Sequence, residues 1–264
     1  MSRSIEQLVD QQVLRWLAER QIADRLSGSP PRPSEPPVAE AQRPVICVSR
    51  EFGALGGQIG RIAAGRLGFG FYAQELVDEI AKQAHVRRKV VESLDERRRS
   101  GVARWVDELV QIGRFTPTDY MHNLSAVVLT LGRHGKSVIV GRGAFLMLDP
   151  EFTLRVRCHA PLDWRVERAA TTYGLSAFDA RAMVVRIDRE RTAFYRDNFK
   201  VEVSDPHHFD LFLNPCTTGV HACAELVVSA FEARFGSDAP ARRPSGRERS
   251  AEVNAPPHAT ASSA

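Results

Sequence analysis

Val45-Ile46-Cys47-Val48-Ser49-Arg50-Glu51-Phe52-Gly53-Ala54-Leu55-Gly56-Gly57-Gln58-Ile59-Gly60 is the stretch that decides the fold. It starts as an apolar, β-branched run, passes through a glycine-rich turn and opens into a helical pattern carried by Ile59, Ile62, Ala63 and Leu67. Strand, loop of backbone N–H groups and helix N-terminus form the local architecture that holds phosphate. Glycines at 53, 56 and 57 let the backbone come close to anionic oxygens, and the orphan N–H groups of the first helical turn face the same anion. The lysine of the G-x-x-x-x-G-K-[ST] pattern is missing. The loop therefore reads as a polyphosphate site without its usual side-chain cation, or as a tight strand-to-helix turn with no ligand.

The chain has 264 residues, enough for one sizeable α/β domain with too little left for a second. Its net charge of +4 is small for that length. Arginine outnumbers lysine, which suits planar recognition of phosphates and carboxylates or reflects a GC-rich genome. No apolar run approaches the roughly 18 residues that cross a membrane. Charges interrupt the apolar stretch at Leu8–Leu17, so no signal peptide is expected. Cys47, Cys158, Cys216 and Cys223 are scattered, with no C-x-x-C pair. Buried thiols in a cytoplasmic protein are expected, with neither a zinc site nor a disulfide framework.

Residues 1–27 read as an amphipathic helix: Ser4 and Gln7 form a capping-box pair, and Ile5, Leu8, Val9, Val13, Trp16 and Leu17 recur at helical spacing. A proline-rich linker follows over 28–43. A helix tethered in this way either packs on the main domain or pairs with a second copy in a homo-oligomer. The globular domain spans 44–235, with strands expected at Val45–Ser49, Phe71–Tyr72, Ser137–Val140, Thr153–Cys158 and Phe209–Leu213. Helical patterns separate them at Gln58–Leu67, Gln74–Ala84, several places between Val90 and Gly132, Leu162–Thr172, Ala177–Phe199 and Gly219–Phe235. That alternation implies a parallel sheet covered on both faces. Residues 236–264 lose their aromatics and are expected to be disordered. The mixed charges of this tail argue against a nucleic-acid partner.

Ser49-Arg50-Glu51-Phe52-Gly53 with Ile59-Gly60-Arg61 resembles the opening motif of the cytidylate kinase-like family. Further similarities follow in order: Leu67-Gly68, Phe71-Tyr72, Gln74-Glu75-Leu76-Val77 and Val138-Ile139-Val140-Gly141-Arg142-Gly143. Leu154-Arg155-Val156-Arg157, Ala160-Pro161-Leu162-Asp163-Trp164-Arg165-Val166-Glu167-Arg168, Gly174-Leu175-Ser176, Asp188-Arg189-Glu190-Arg191 with Tyr195, and Phe209-Asp210-Leu211-Phe212-Leu213-Asn214 complete the series. The resemblance covers about Pro44 to Phe235. It implies a P-loop NTPase three-layer α/β sandwich with a five-stranded parallel sheet, a helical insert and an arginine-bearing lid. The implied reaction moves the γ-phosphoryl group of ATP to a nucleoside monophosphate, CMP or dCMP, with Mg2+ bridging the phosphates.

Phosphoryl transfer needs two anions held in line and their charge neutralised, so cations and N–H donors are the groups to seek. Gly53, Ala54, Leu55, Gly56, Gly57 and Gln58 would cradle the β-phosphate. Arg142, just past a strand end, matches the arginine that holds the acceptor's phosphate in the G-R-D motif. Arg165 and Arg168 share a helix face. With Arg186, Arg189 and Arg191 they make a plausible lid, in which Asp188 and Arg191 match a D-x-x-R element; the plain alternative is a charged helix surface. No metal-ligating residue is assigned.

Three positions depart from the cytidylate kinase pattern. Gly56 stands at the lysine position, Gln58 at the magnesium-holding hydroxyl and Gly143 at the acceptor-binding aspartate; Leu55 and Gly57 also differ from the usual G-S-G-G-[basic]. Arg50, at the strand end, is the first candidate to take over the lysine's role, and Arg61 the second. His207 and His208 are expected to decorate a loop and Arg97-Arg98-Arg99 a solvated face, while Trp105, Tyr120 and His122 lie in the insert as core or substrate-stacking residues. Two alternatives stand beside the nucleotide kinase. One is a kinase for another small acceptor, and the other is a nucleotide-binding sensor without turnover.

Overall fold

The computed structural model describes residues 5–26, 43–94, 96–111 and 118–236. Ser4, nearly all of the expected linker, the tail beyond 236 and the side chains of Trp105, Arg97 and Arg98 lie outside the described residues. The sheet is built around β1 (Val45–Arg50), whose first five residues are all buried. Burial on both faces is what a continuous apolar run dictates for a central parallel strand. β3 (Ser137–Val140) flanks β1 on one side and β4 (Thr153–Cys158) on the other. β2 (Gly70–Tyr72) lies outside β3 and β5 (Leu211–Leu213) outside β4, all parallel, giving the order β2-β3-β1-β4-β5. The chain crosses over at β1, so a crevice opens between the carboxyl ends of β1 and β3, where such sheets take ligands.

Alternating side chains of β1 feed two cores. Ile46 and Val48 join Val138, Val140, Leu154 and Val156 under α2 (Gly56–Leu67) and α11 (Val220–Phe235). Val45 and Cys47 face the opposite layer, made of α3 (Gln74–Lys82), α4 (Ala84–Glu92), α5 (Glu96–Gln111), α6 (Asp119–His134) and the short α7 (Ala144–Met147). α8 (Leu162–Tyr173) and α9 (Ala177–Phe199) form a hairpin with its own small core of Val166, Ala169, Ala180 and Val184, against which Phe52 packs. α10 (Pro215–Thr218) leads into α11. This is the three-layer α/β sandwich that the sequence predicts.

The last strand is shorter than its pattern suggests, because Phe209 and Asp210 precede the ladder. Asp210 is engaged sideways, accepting from Arg155 at 2.7 Å and from Arg234 at 3.1 Å. The four cysteines are unpaired thiols; burial pushes that of Cys158 up to about 12. No described helix is long and apolar enough to cross a membrane.

α1 (Ile5–Leu26) packs on the α3–α4 side of its own chain. The Trp16 ring lies flat on His134, with centroids 3.8 Å apart and planes 3° from parallel, and His134 Nε2 meets Ser93 Oγ at 2.8 Å. Arg15 donates to the Gly68 carbonyl at 2.8 Å, and Lys89 pairs with Asp10 at 2.9 Å. α1 thus docks on the main domain of its own chain. Losing a buried tryptophan costs about 3 kcal/mol, and here most of it falls on the docking of one helix. Trp16→Ala should raise the undocked population of α1 about a hundredfold. Limited proteolysis should then cut within α1 much sooner, while the main thermal transition moves by only a few degrees.

Candidate active site

The loop after β1 turns left-handed twice, at Gly53 (φ 81°) and at Leu55 (φ 56°), the residue that caps α2. A leucine in that conformation costs about 1 kcal/mol, so the turn is held against its local preference. Among the described residues, the N–H groups of Gly53, Leu55, Gly56 and Gly57 donate to no protein acceptor. They form an open donor row at the N-terminus of a 12-residue helix, the electrostatics of an anion cradle. Of the six residues expected to form the cradle, Ala54 is buried, with its N–H on the Glu51 carbonyl at 3.3 Å, and Gln58 is exposed.

Arg50 explains the missing lysine. Its side chain leaves the end of β1 and crosses the loop: a Cβ at position 56 would stand 2.7 Å from Arg50 Cβ and 3.2 Å from Cys158 Cβ. No side chain, and so no lysine, fits at 56 while residue 50 carries a Cβ. The far end of Arg50 reaches the turn after β3, where a Cβ on Gly141 (φ 84°) would come within 2.4 Å of Arg50 Nη1. Desolvation holds the guanidinium below its ordinary pKa. A cation thus lies at the strand end, and Gly141 leaves room for its guanidinium.

The α8–α9 hairpin grips the same loop. Asp188 Oδ1 accepts from the Phe52 N–H at 2.7 Å, and Arg165 donates to the Phe52 carbonyl at 3.0 Å. Arg165 also pairs with Asp188 at 2.5 Å and donates to the Ala160 carbonyl at 2.9 Å, with Glu51 at 3.4 Å. Arg191 donates to the Arg50 carbonyl at 3.2 Å and lies over the Phe52 ring. Arg165 and Asp188, expected on a lid, are thus placed as a clamp on the loop backbone, and Arg165 is only 6% exposed.

Beyond the clamp lies a cavity of about 400 Å3 lined by Arg50, Arg142, Arg191 and the exposed Arg186, which pairs with Glu190 at 2.7 Å, with Glu75 and Tyr195 also in its wall. Burial first, and then the like charge of Arg50, push Arg191 down to about 10. Arg142 (φ 54°) pairs with Asp78, stacks on Phe194 at 5.1 Å and keeps a buried Nε with no partner. Tyr120, whose role the sequence left open, donates to Asp78 at 2.8 Å, and burial pushes its phenol above the usual range. His122 is exposed.

The residue after Arg142 cannot bear a side chain, since a Cβ on Gly143 (φ 70°) would lie 2.4 Å from the Phe199 ring. Arg168 and Arg189 are exposed and do not line the cavity; Arg168 stacks on Trp164 at 4.9 Å. Arg61 lies over Phe71 at 4.4 Å and does not enter either. His207 pairs with Asp205 at 2.7 Å on a surface turn. Glu75, Asp78 and Phe194 carried no assignment from sequence. Asp78 had one usable signal, a carboxylate in the buried stripe Val77, Asp78, Ile80, Ala81 of α3.

Sheet order, anion cradle and arginine cavity together define a kinase-like protein of the P-loop fold. The chain belongs to the cytidylate kinase-like family, whose pattern residues 45–216 match. No curated protein sequence matches the chain significantly. A crystal structure of an uncharacterized protein from Eubacterium ventriosum shares the fold at 16% identity and TM-score 0.50, covering 72% of this chain and 99% of that one. Shikimate kinase from Bacteroides thetaiotaomicron is similar at 13% identity and TM-score 0.41 (72% and 98% covered). TT1252 from Thermus thermophilus is similar at 17% identity and TM-score 0.44 (74% and 99%).

Two substitutions test the clamp and the turn. Asp188→Ala leaves the buried Arg165 without its carboxylate and should lower urea-unfolding stability by about 2–3 kcal/mol, below the full buried-pair cost because Asp188 is part-exposed. Gly143→Asp should cost more than about 2 kcal/mol through left-handed strain and overlap with Phe199. Adding Phe199→Ala should recover part of that loss.

Proposed function

We propose that this protein transfers the γ-phosphoryl group of ATP to a nucleoside monophosphate, CMP or dCMP foremost. One observation carries the reading: the loop with N–H groups that lack protein acceptors among the described residues follows directly on Arg50, which lines a cavity together with Arg142, Arg186 and Arg191. Loop and cavity each hold one of the two anions that in-line transfer must bring together. In this reading the loop from Gly53 to Gln58 binds the β-phosphate of ATP. Arg142, fixed by Asp78 and Phe194, holds the acceptor's phosphate. Arg50 and Arg191 stand between the two and neutralise the charge that spreads over the transferring group. Arg165 and Asp188 act by holding the Phe52 peptide, and Arg168 and Arg189 are lid cations that closure of the α8–α9 hairpin would bring inward.

Magnesium would arrive with ATP. Among the described residues no three ligating side chains cluster, and the loop offers the exposed Gln58 amide where a hydroxyl would otherwise help hold the ion. Phosphate oxygens and water would thus fill most of its shell. When bound, the ion offsets phosphate charge. The balance of charge falls to the arginines.

The deciding assay gives the full chain ATP, magnesium and a panel of nucleoside monophosphates, with ATP binding measured separately. Turnover of CMP or dCMP above the others is expected. ATP binding without turnover of any acceptor would overturn the kinase reading in favour of a nucleotide-binding protein without catalysis. Arg50→Ala should lower transfer by about a hundredfold or more, the scale of losing an aimed charge in the transition state. The paired exchange Arg50→Gly with Gly56→Lys should recover activity that neither change alone allows.

A further inference from the structure

A second cavity, of about 590 Å3, lies between α1 and the β2–α3 corner. Trp16 from α1 and Phe71 and Tyr72 from β2 give it aromatic walls, and Gln12, Arg61, Glu75 and Glu79 its polar groups, with Arg61 lying over the Phe71 ring. Its size and mostly apolar lining are those of a small-molecule pocket. Glu75 stands in the wall of this cavity and of the arginine cavity alike, and its carboxylate acts on the charges of Arg50 and Arg191. Glu75 thus lines both spaces, the first cationic and polar, the second aromatic with hydrogen-bond donors and acceptors at its edge.

A ligand that suits both has a phosphate at one end and a flat, apolar-faced ring bearing hydrogen-bond donors and acceptors at the other. Carboxylates accept hydrogen bonds and Arg61 donates them, which selects a ring that does both. Aromatic walls select its flatness. The turn that carries Arg142 offers such a ring nothing more, because Gly143 is closed by Phe199. Base recognition then falls to the neighbouring cavity, one wall of which comes from α1, outside the family match at 45–216. We infer that α1 completes the acceptor site as the wall of a nucleobase pocket and so sets which nucleoside monophosphate is taken. The inference rests on the kinase reading above and adds the base subsite to it.

Gln12→Trp tests it in the full chain. Gln12 is part-exposed on α1, so a larger side chain fills the cavity while the Trp16–His134 stack stays. Calorimetry compares CMP, UMP, AMP and GMP with ribose 5-phosphate, which reports the arginine cavity alone. Wild type should bind at least one nucleotide tenfold or more tighter than ribose 5-phosphate. The variant should lose that advantage about tenfold, with its ribose 5-phosphate affinity within twofold of wild type. Equal nucleotide affinities in variant and wild type would overturn the role of α1 and leave the kinase reading standing. A wild type that binds every nucleotide no tighter than ribose 5-phosphate would overturn the base pocket. Failure to bind any nucleotide would overturn the kinase reading and this inference together.

Discussion

Arg50 crosses the phosphate loop, and much of the site is arranged around that crossing. Its Cβ closes position 56, its guanidinium closes position 141, and its carbonyl is held by Arg191 from α9. The Cβ contact excludes a side chain at 56 for any residue but glycine at 50, whereas the contact at 141 belongs to the guanidinium that arginine supplies. In the proposed mechanism that guanidinium stands in for the absent loop lysine.

The loop backbone is held by the α8–α9 hairpin. Asp188 and Arg165 hold the Phe52 peptide from both its N–H and its carbonyl, and Arg191 holds the peptide before it. A loop with a left-handed leucine gains from such support, because its own conformational preference opposes the turn. Any movement of the hairpin moves the cradle with it. In the proposed mechanism, closure over the acceptor and alignment of the loop are one motion.

The fold was legible because its signals are local and repeated: β-branched runs ending in glycine, then amphipathic helices. Val45–Arg50 and Ala177–Phe199 needed no tertiary information. The end of the sheet was less legible, because Asp210 answers to arginines on β4 and α11 that no local pattern reveals. The site was legible in its residue types and much less in their partners. Arg142 and Arg191 reach the cavity, whereas Arg165 is spent on a backbone carbonyl 113 positions away, a contact that only the packed hairpin creates. The closure of Gly143 by Phe199 was hidden for the same reason, and so was the docking of α1 through Trp16 and His134.

The central claim is that Arg50 is the cation of the phosphate loop. A crystal structure of the full chain with magnesium and a non-hydrolysable ATP analogue measures it directly. The account predicts the β-phosphate on the N–H groups of Gly53, Leu55, Gly56 and Gly57, with the Arg50 guanidinium within hydrogen-bonding distance of a phosphate oxygen. Phosphates bound away from that loop, or bound there with Arg50 still turned toward Gly141 and touching none of them, would contradict it.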